Sequence, residues 1–184
     1  MSTHLTAPAA TSLAALLSAC AMPMAPSAPS YSQASLPAAV QVPAGFKVAF
    51  ETVGAGEITY ECRAKAGTAG EHEWVFVGPA ASLVDRQGRT LGRYFGPPAT
   101  WAANDGSAIT GTQLAVAPAA AGNIPLQLVK ANPASGQGMM TGVSHIQRVA
   151  TQGGVAPSAP CNMAGMGRKE IVRYQADYIF WKAA

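Results

Sequence analysis

The last stretch of the chain restricts its fold more than any other. Val172, Tyr174, Ala176, Tyr178 and Phe180 fall on one side of an extended backbone, and Arg173, Gln175 and Asp177 fall on the other. A side-chain period of two over nine residues defines a half-buried strand, and apolar-in, polar-out alternation belongs to antiparallel sheets with one wet face. Glu57 to Arg63 repeats the pattern, with Ile58, Tyr60 and Cys62 on one face. Shorter strands are expected over 46–50, 72–77, 82–85, 90–95, 108–116, 126–130 and 141–150. Turn signals between them are Gly54-Ala55-Gly56, Gly78-Pro79, Gln87-Gly88, Asn104-Asp105-Gly106, Asn132-Pro133 and Gly153-Gly154. No segment of a dozen residues carries a helical stripe, and Pro118 interrupts the best short helix, 115–121. The expected fold is all-β, an antiparallel β-sandwich or closed β-barrel of about 8 to 10 strands with little helix.

The N-terminal quarter is different. All 21 charged residues lie at or after Lys47, and Leu13 to Ala19 is a short run of apolar and small residues that ends at Cys20. Such a run is the length of a signal-peptide core and well below the roughly 20 residues of a spanning helix. Leu17-Ser18-Ala19-Cys20 resembles the lipobox of bacterial lipoproteins, in which the cysteine is lipidated and becomes the N-terminus. The basic residues usual at the start of an export signal are missing; Met1 to Ser12 has only His4 and the terminal amine. Residues 21–44 contain five prolines among Ala and Ser, the composition of a semi-extended tether. The expected organisation is therefore a signal with lipobox over 1–20, a tether over 21–44 and a single β domain over 45–184. The expected location is the cell envelope, at the periplasmic side of the outer membrane or the cell surface, with secretion as the alternative. The membrane would be a partner only through the lipid.

Export bears on the cysteines. With Cys20 acylated, Cys62 and Cys161 remain, and two thiols in an oxidising compartment most often pair. Buried free thiols or a metal pair are the alternatives. No Cys-x-x-Cys or His-x-x-x-His supplies metal-ligand spacing, and the seven methionines form no compact motif, so neither metal nor cofactor is expected. A net charge of +3 with 11% charged residues gives no reason to expect nucleic acid as a partner.

Several pieces in order resemble a family known as a domain of unknown function, DUF3455, whose members are commonly exported. They are Tyr60-x-Cys62-x-Ala64, Trp74-Val75-Phe76, Gly78-Pro79-x-Ala81-x-Leu83 and Tyr94-Phe95-Gly96-Pro97. Trp101, Asp105-Gly106-Ser107, Ile124-Pro125, Ile146-Gln147-Arg148-Val149 and Tyr174-x-Ala176-Asp177-Tyr178-x-Phe180 follow. The resemblance covers about residues 45–181 and implies no activity. It departs in the central loop, where Arg93 stands in place of a His and Ala102 in place of a Glu after Trp101, which removes two titratable groups.

Nucleophile elbows, phosphate-binding loops and zinc-protease helices are absent from the sequence, and no catalytic residue is assigned. Asp105 reads as a turn residue whose carboxylate bonds the backbone of Gly106 or Ser107. Arg148 and Asp177, if on the wet face, could form a cross-strand pair. The sharper reading gathers Arg93, Trp101, Asp105, His145 and Arg148 around one mouth, with Trp101 as a stacking wall for an anionic ligand or sugar. The favoured function is a non-enzymatic envelope domain that binds a small ligand or an envelope partner. The rivals are a hydrolase-type enzyme using the Trp101–Asp105 loop with His145, and a purely structural envelope component.

Overall fold

The computed structural model describes Met1 and residues 31–184. Among these residues the chain forms eight strands: β1 (Phe46–Ala64), β2 (His72–Val84), β3 (Thr90–Phe95), β4 (Thr100–Ala103), β5 (Ala108–Ala117), β6 (Leu126–Ala131), β7 (Val143–Gly153) and β8 (Lys169–Ala183). Each pairs antiparallel with the next, and β8 closes on β1, so the all-β expectation resolves as an up-and-down barrel. Among the described residues helix is confined to two 3-10 turns, Ala38–Val40 and Met163–Gly165. The Ala-rich segment 115–121 is the end of β5 and a loop.

Two of the expected turns lie inside strands. Gly54 is a point of close approach: a Cβ there would stand 2.4 Å from Tyr178 Cε2, so the missing side chain makes room for that ring. The strands expected over 46–50 and 57–63 are consequently one, β1. Gly78 likewise lets the Gly96 carbonyl approach β2, and the segments 72–77 and 82–85 merge. A glycine that admits a neighbour and a glycine that reverses the chain look the same in sequence.

An eight-stranded barrel is just wide enough for its side chains to fill. The inward row of β8 (Tyr174, Ala176, Tyr178, Phe180) packs with Ile58, Leu83, Tyr94, Trp101, Ile109, Met140 and Ile146 into the main core. The outward row is wet only in part. Ile179 and Trp181 form a second, external cluster with Leu128, Val149, Val40 and Val42. Residues 31–44, expected to belong to the tether, are docked on the outside of β6, β7 and β8; residues 21–30, Cys20 and the signal lie outside the described residues. Val40 and Val42 are buried, each worth about 1.5–3 kcal/mol of transfer free energy.

Gln147 fastens this strap. It is fully buried, its amide donates to Gln33 Oε1 (2.9 Å) and the Val40 carbonyl (2.7 Å), and its oxygen accepts from Tyr31 Oη (3.2 Å) and Trp181 Nε1 (2.9 Å). All four hydrogen-bonding positions of the side chain are used.

Candidate functional site

The two ends of the barrel are built differently. At one end the β4–β5 turn and the segment 134–140 form a plug. Asp105 Oδ1 accepts from the Ser107 hydroxyl (2.6 Å) and the Ser107 amide (2.9 Å), and Oδ2 accepts from the Met139 amide (2.7 Å). Ser107 Oγ accepts in turn from the amide of Met140, whose side chain is buried in the core. These donors, the Ser107 hydroxyl foremost, hold the Asp105 carboxyl below its usual range. Asp105 is thus the turn residue its sequence context indicates, with a second task of tying down the plug.

The other end, where the β1–β2, β3–β4, β5–β6 and β7–β8 connections lie, carries a cup. Its cavity of about 340 Å³ is walled by Phe76, Tyr94, Ala99 and Trp101 on one side and by Gly111, Gln113, Gln127, Val129 and Arg148 on the other. Tyr94 stacks on Trp101 (4.7 Å between centroids), and Tyr178 packs against both, tilted to Tyr94 and edge-on to Trp101. Burial raises the Tyr174 phenol to about 12 and lifts Tyr60, Tyr94 and Tyr178 as well, while the positive charge of Arg148 opposes the shift in all four. The phenols are therefore neutral at physiological pH, and the one charge among them is a guanidinium.

Arg148 reaches this position because it has the same parity as Ile146, an interior residue of β7. Its Nε and Nη2 both donate to the Pro125 carbonyl, at 3.2 and 2.9 Å, and among the described residues it makes no salt bridge. Asp177, its expected cross-strand partner, instead pairs on the outer surface with Arg86 at 2.7 Å. Trp101 is 1% exposed, and its indole N–H has no partner among the described residues.

Of the five residues expected around one mouth, Trp101 and Arg148 line this cup and the other three do not. Arg93 points outward, lies 5.0 Å over the Phe95 ring and flanks an external groove of about 770 Å³ together with Glu57 and Arg173. Asp105 holds the plug. His145 lies on the outer face of β7 against Phe46, with Nδ1 3.1 Å from Ser144 Oγ, and burial and Lys130 lower its pKa. A Ser107–His145–Asp105 hydrolase has no geometry here. Ser107 is fully buried, its hydroxyl is bonded to Asp105, and His145 partners neither residue. Among the described residues no group of three or more His, Cys, Asp or Glu could hold a metal ion.

Cys62 and Cys161 form a disulfide with their Cα atoms 5.4 Å apart. It ties the long β7–β8 connection to the end of β1, where Cys62 N bonds the Arg168 carbonyl and Gly167 N bonds the Cys62 carbonyl. Trp74 Nε1 adds a bond to the Ala159 carbonyl (2.8 Å), and Arg168 covers the Trp74 ring. Phe76, Tyr94, Gln113 and Gln127 are cup residues that sequence reasoning missed; their shared inward parity was the available signal.

Fold and site together define a disulfide-bonded, eight-stranded antiparallel barrel, plugged at one end and open to an aromatic, arginine-bearing cup at the other. Residues 43–182 match the family model described as "Protein of unknown function (DUF3455)", and the chain belongs to that family. No curated protein and no solved structure matches the chain.

Proposed function

We propose that this is an exported, lipid-anchored binding protein of the cell envelope that carries a small molecule in the open end of its barrel. The cavity between Trp101 and Arg148 carries the reading. Small eight-stranded barrels either fill their interior or hold one small ligand, and this one keeps a cavity of about 340 Å³ toward its unplugged end. An arginine without a carboxylate partner, set among aromatic side chains in the cavity wall, is the polar group a binding site would use. Export and anchoring rest on the run Leu13–Ala19 before Cys20, and the Cys62–Cys161 bond suits an oxidising compartment.

Two experiments test it. Benzoate, benzamide and indole, titrated into 15N-labelled protein, are expected to include at least one that shifts the signals of cup residues saturably. The shift should vanish in Ala99→Phe, which fills the cavity from its wall. If none of the three perturbs the cup, the binding reading is wrong. For the anchor, the intact mass of membrane-fraction protein should equal the chain from Cys20 plus a lipid, and reduction should add two hydrogens. Cys20→Ala should move the protein to the soluble fraction. An unacylated wild-type chain would remove the anchor.

A further inference from the structure

We infer that the cup selects a small ring-bearing monocarboxylate, bound with its carboxylate on Arg148 and its ring against Trp101 and Tyr94. The inference rests on the reading of the cup as a ligand site and specifies what that site takes. Among the described residues Arg148 is the only charged one lining the cavity, so a single negative charge is matched and a phosphate dianion would lack its second cation. The side edge of the guanidinium, Nε with Nη2, is occupied by the Pro125 carbonyl. The end edge, Nη1 with the second Nη2 hydrogen, has no acceptor among the described residues. That planar fork fits the two oxygens of a carboxylate.

The rest of the lining specifies the body of the ligand. Phe76, Tyr94 and Trp101 present aromatic surface, and about 340 Å³ is near the lower end of ligand sites, room for one ring and its substituents. Among the described residues no acidic side chain lines the cavity to repel an anion. At the rim, Gln127 Nε2 donates to Gln113 Oε1, an uncharged pair that neither competes for Arg148 nor neutralises it.

Benzoate and its neutral isostere benzamide, titrated separately into the full 15N-labelled chain, decide the matter. The reporter is the Trp101 indole 15N–1H signal, assigned as the one lost in Trp101→Phe. Benzoate should shift it saturably and bind about tenfold or more tighter than benzamide, the usual size of a charge-assisted hydrogen bond. Arg148→Gln should bring benzoate down to the benzamide level and leave benzamide within about twofold of the wild-type value. Arg148→Lys, which keeps the charge but loses the fork, should fall between the two. Equal affinities for the two probes in the wild type, or a benzoate preference that survives Arg148→Gln, would overturn carboxylate selection and leave the cup a ligand site. If neither probe shifts the reporter, carboxylate selection fails; if indole also leaves the cup unperturbed, the binding reading fails with it. The wild-type ratio needs no variant, so a poorly folding Arg148→Gln would not protect the proposal.

Discussion

Cys161→Ser is expected to lower the stability of the domain by about 3–5 kcal/mol and its melting temperature by roughly 10 °C, more than any other single change considered above. The bond joins residues 99 apart in sequence, so the denatured chain that it constrains is most of the protein. Loop-closure entropy for a loop of that length is worth about 4 to 5 kcal/mol at 25 °C. Native contacts add to this, because the β7–β8 connection also relies on bonds from Cys62 N, Gly167 N and Trp74 Nε1 that the disulfide holds in place. Thermal unfolding followed by circular dichroism, with and without reductant, makes the measurement. Reductant should bring the wild type down to the level of Cys161→Ser and leave the variant unchanged. A variant as stable as the wild type would mean that the connection is held by its hydrogen bonds alone.

Gln147→Leu is expected to cost about 2–4 kcal/mol although it replaces a polar side chain by an apolar one of similar volume. The usual gain from burying leucine is outweighed by what is left behind. The Val40 carbonyl and the Trp181 indole N–H both lie in the external cluster and would lose their partner without access to water. A buried group stranded in this way costs about 1–3 kcal/mol. The damage should be local: hydrogen exchange should accelerate at residues 31–44, while amides of the interior rows of β7 and β8 keep their protection. Loss of protection throughout the barrel would show that the strap is integral to the closed sheet and not a layer upon it.

How far the sequence could be read depended on whether parity or distance decided the outcome. The alternation of Tyr174, Ala176, Tyr178 and Phe180 correctly identified an inward row, because a pleated strand leaves a side chain no other choice. The disulfide followed from counting thiols in a chain whose N-terminal run led to the expectation of export. Parity also held the answer for Arg148, which sits two residues from Ile146; its charge suggested the wet face, and the open mouth of the barrel is what admits it to the interior. The turns at Gly54 and Gly78 were misread because the ring of Tyr178 and the carbonyl of Gly96 come from distant parts of the chain. The strap was unreadable for a similar reason. Pro, Ala and Ser describe a segment that forms little secondary structure of its own, but they do not tell whether Val40 and Val42 find an apolar face elsewhere, nor that Gln147 awaits them. The site was half visible: Trp101 and Arg148 are residue types that favour binding, whereas Arg93 and His145 are of the same types and face outward.

Closure of β8 onto β1 has a consequence for association. Among the described residues every strand has two hydrogen-bonded neighbours, and backbone without a strand partner on one side is confined to stretches that project beyond the closed register, such as residues 72–79 of β2 past the end of β3. Recognition by lateral strand addition, a common mode among β proteins, is thereby limited to those short projecting stretches. Along the rest of the closed sheet a macromolecule would meet side chains and loops, with no free backbone ladder to continue.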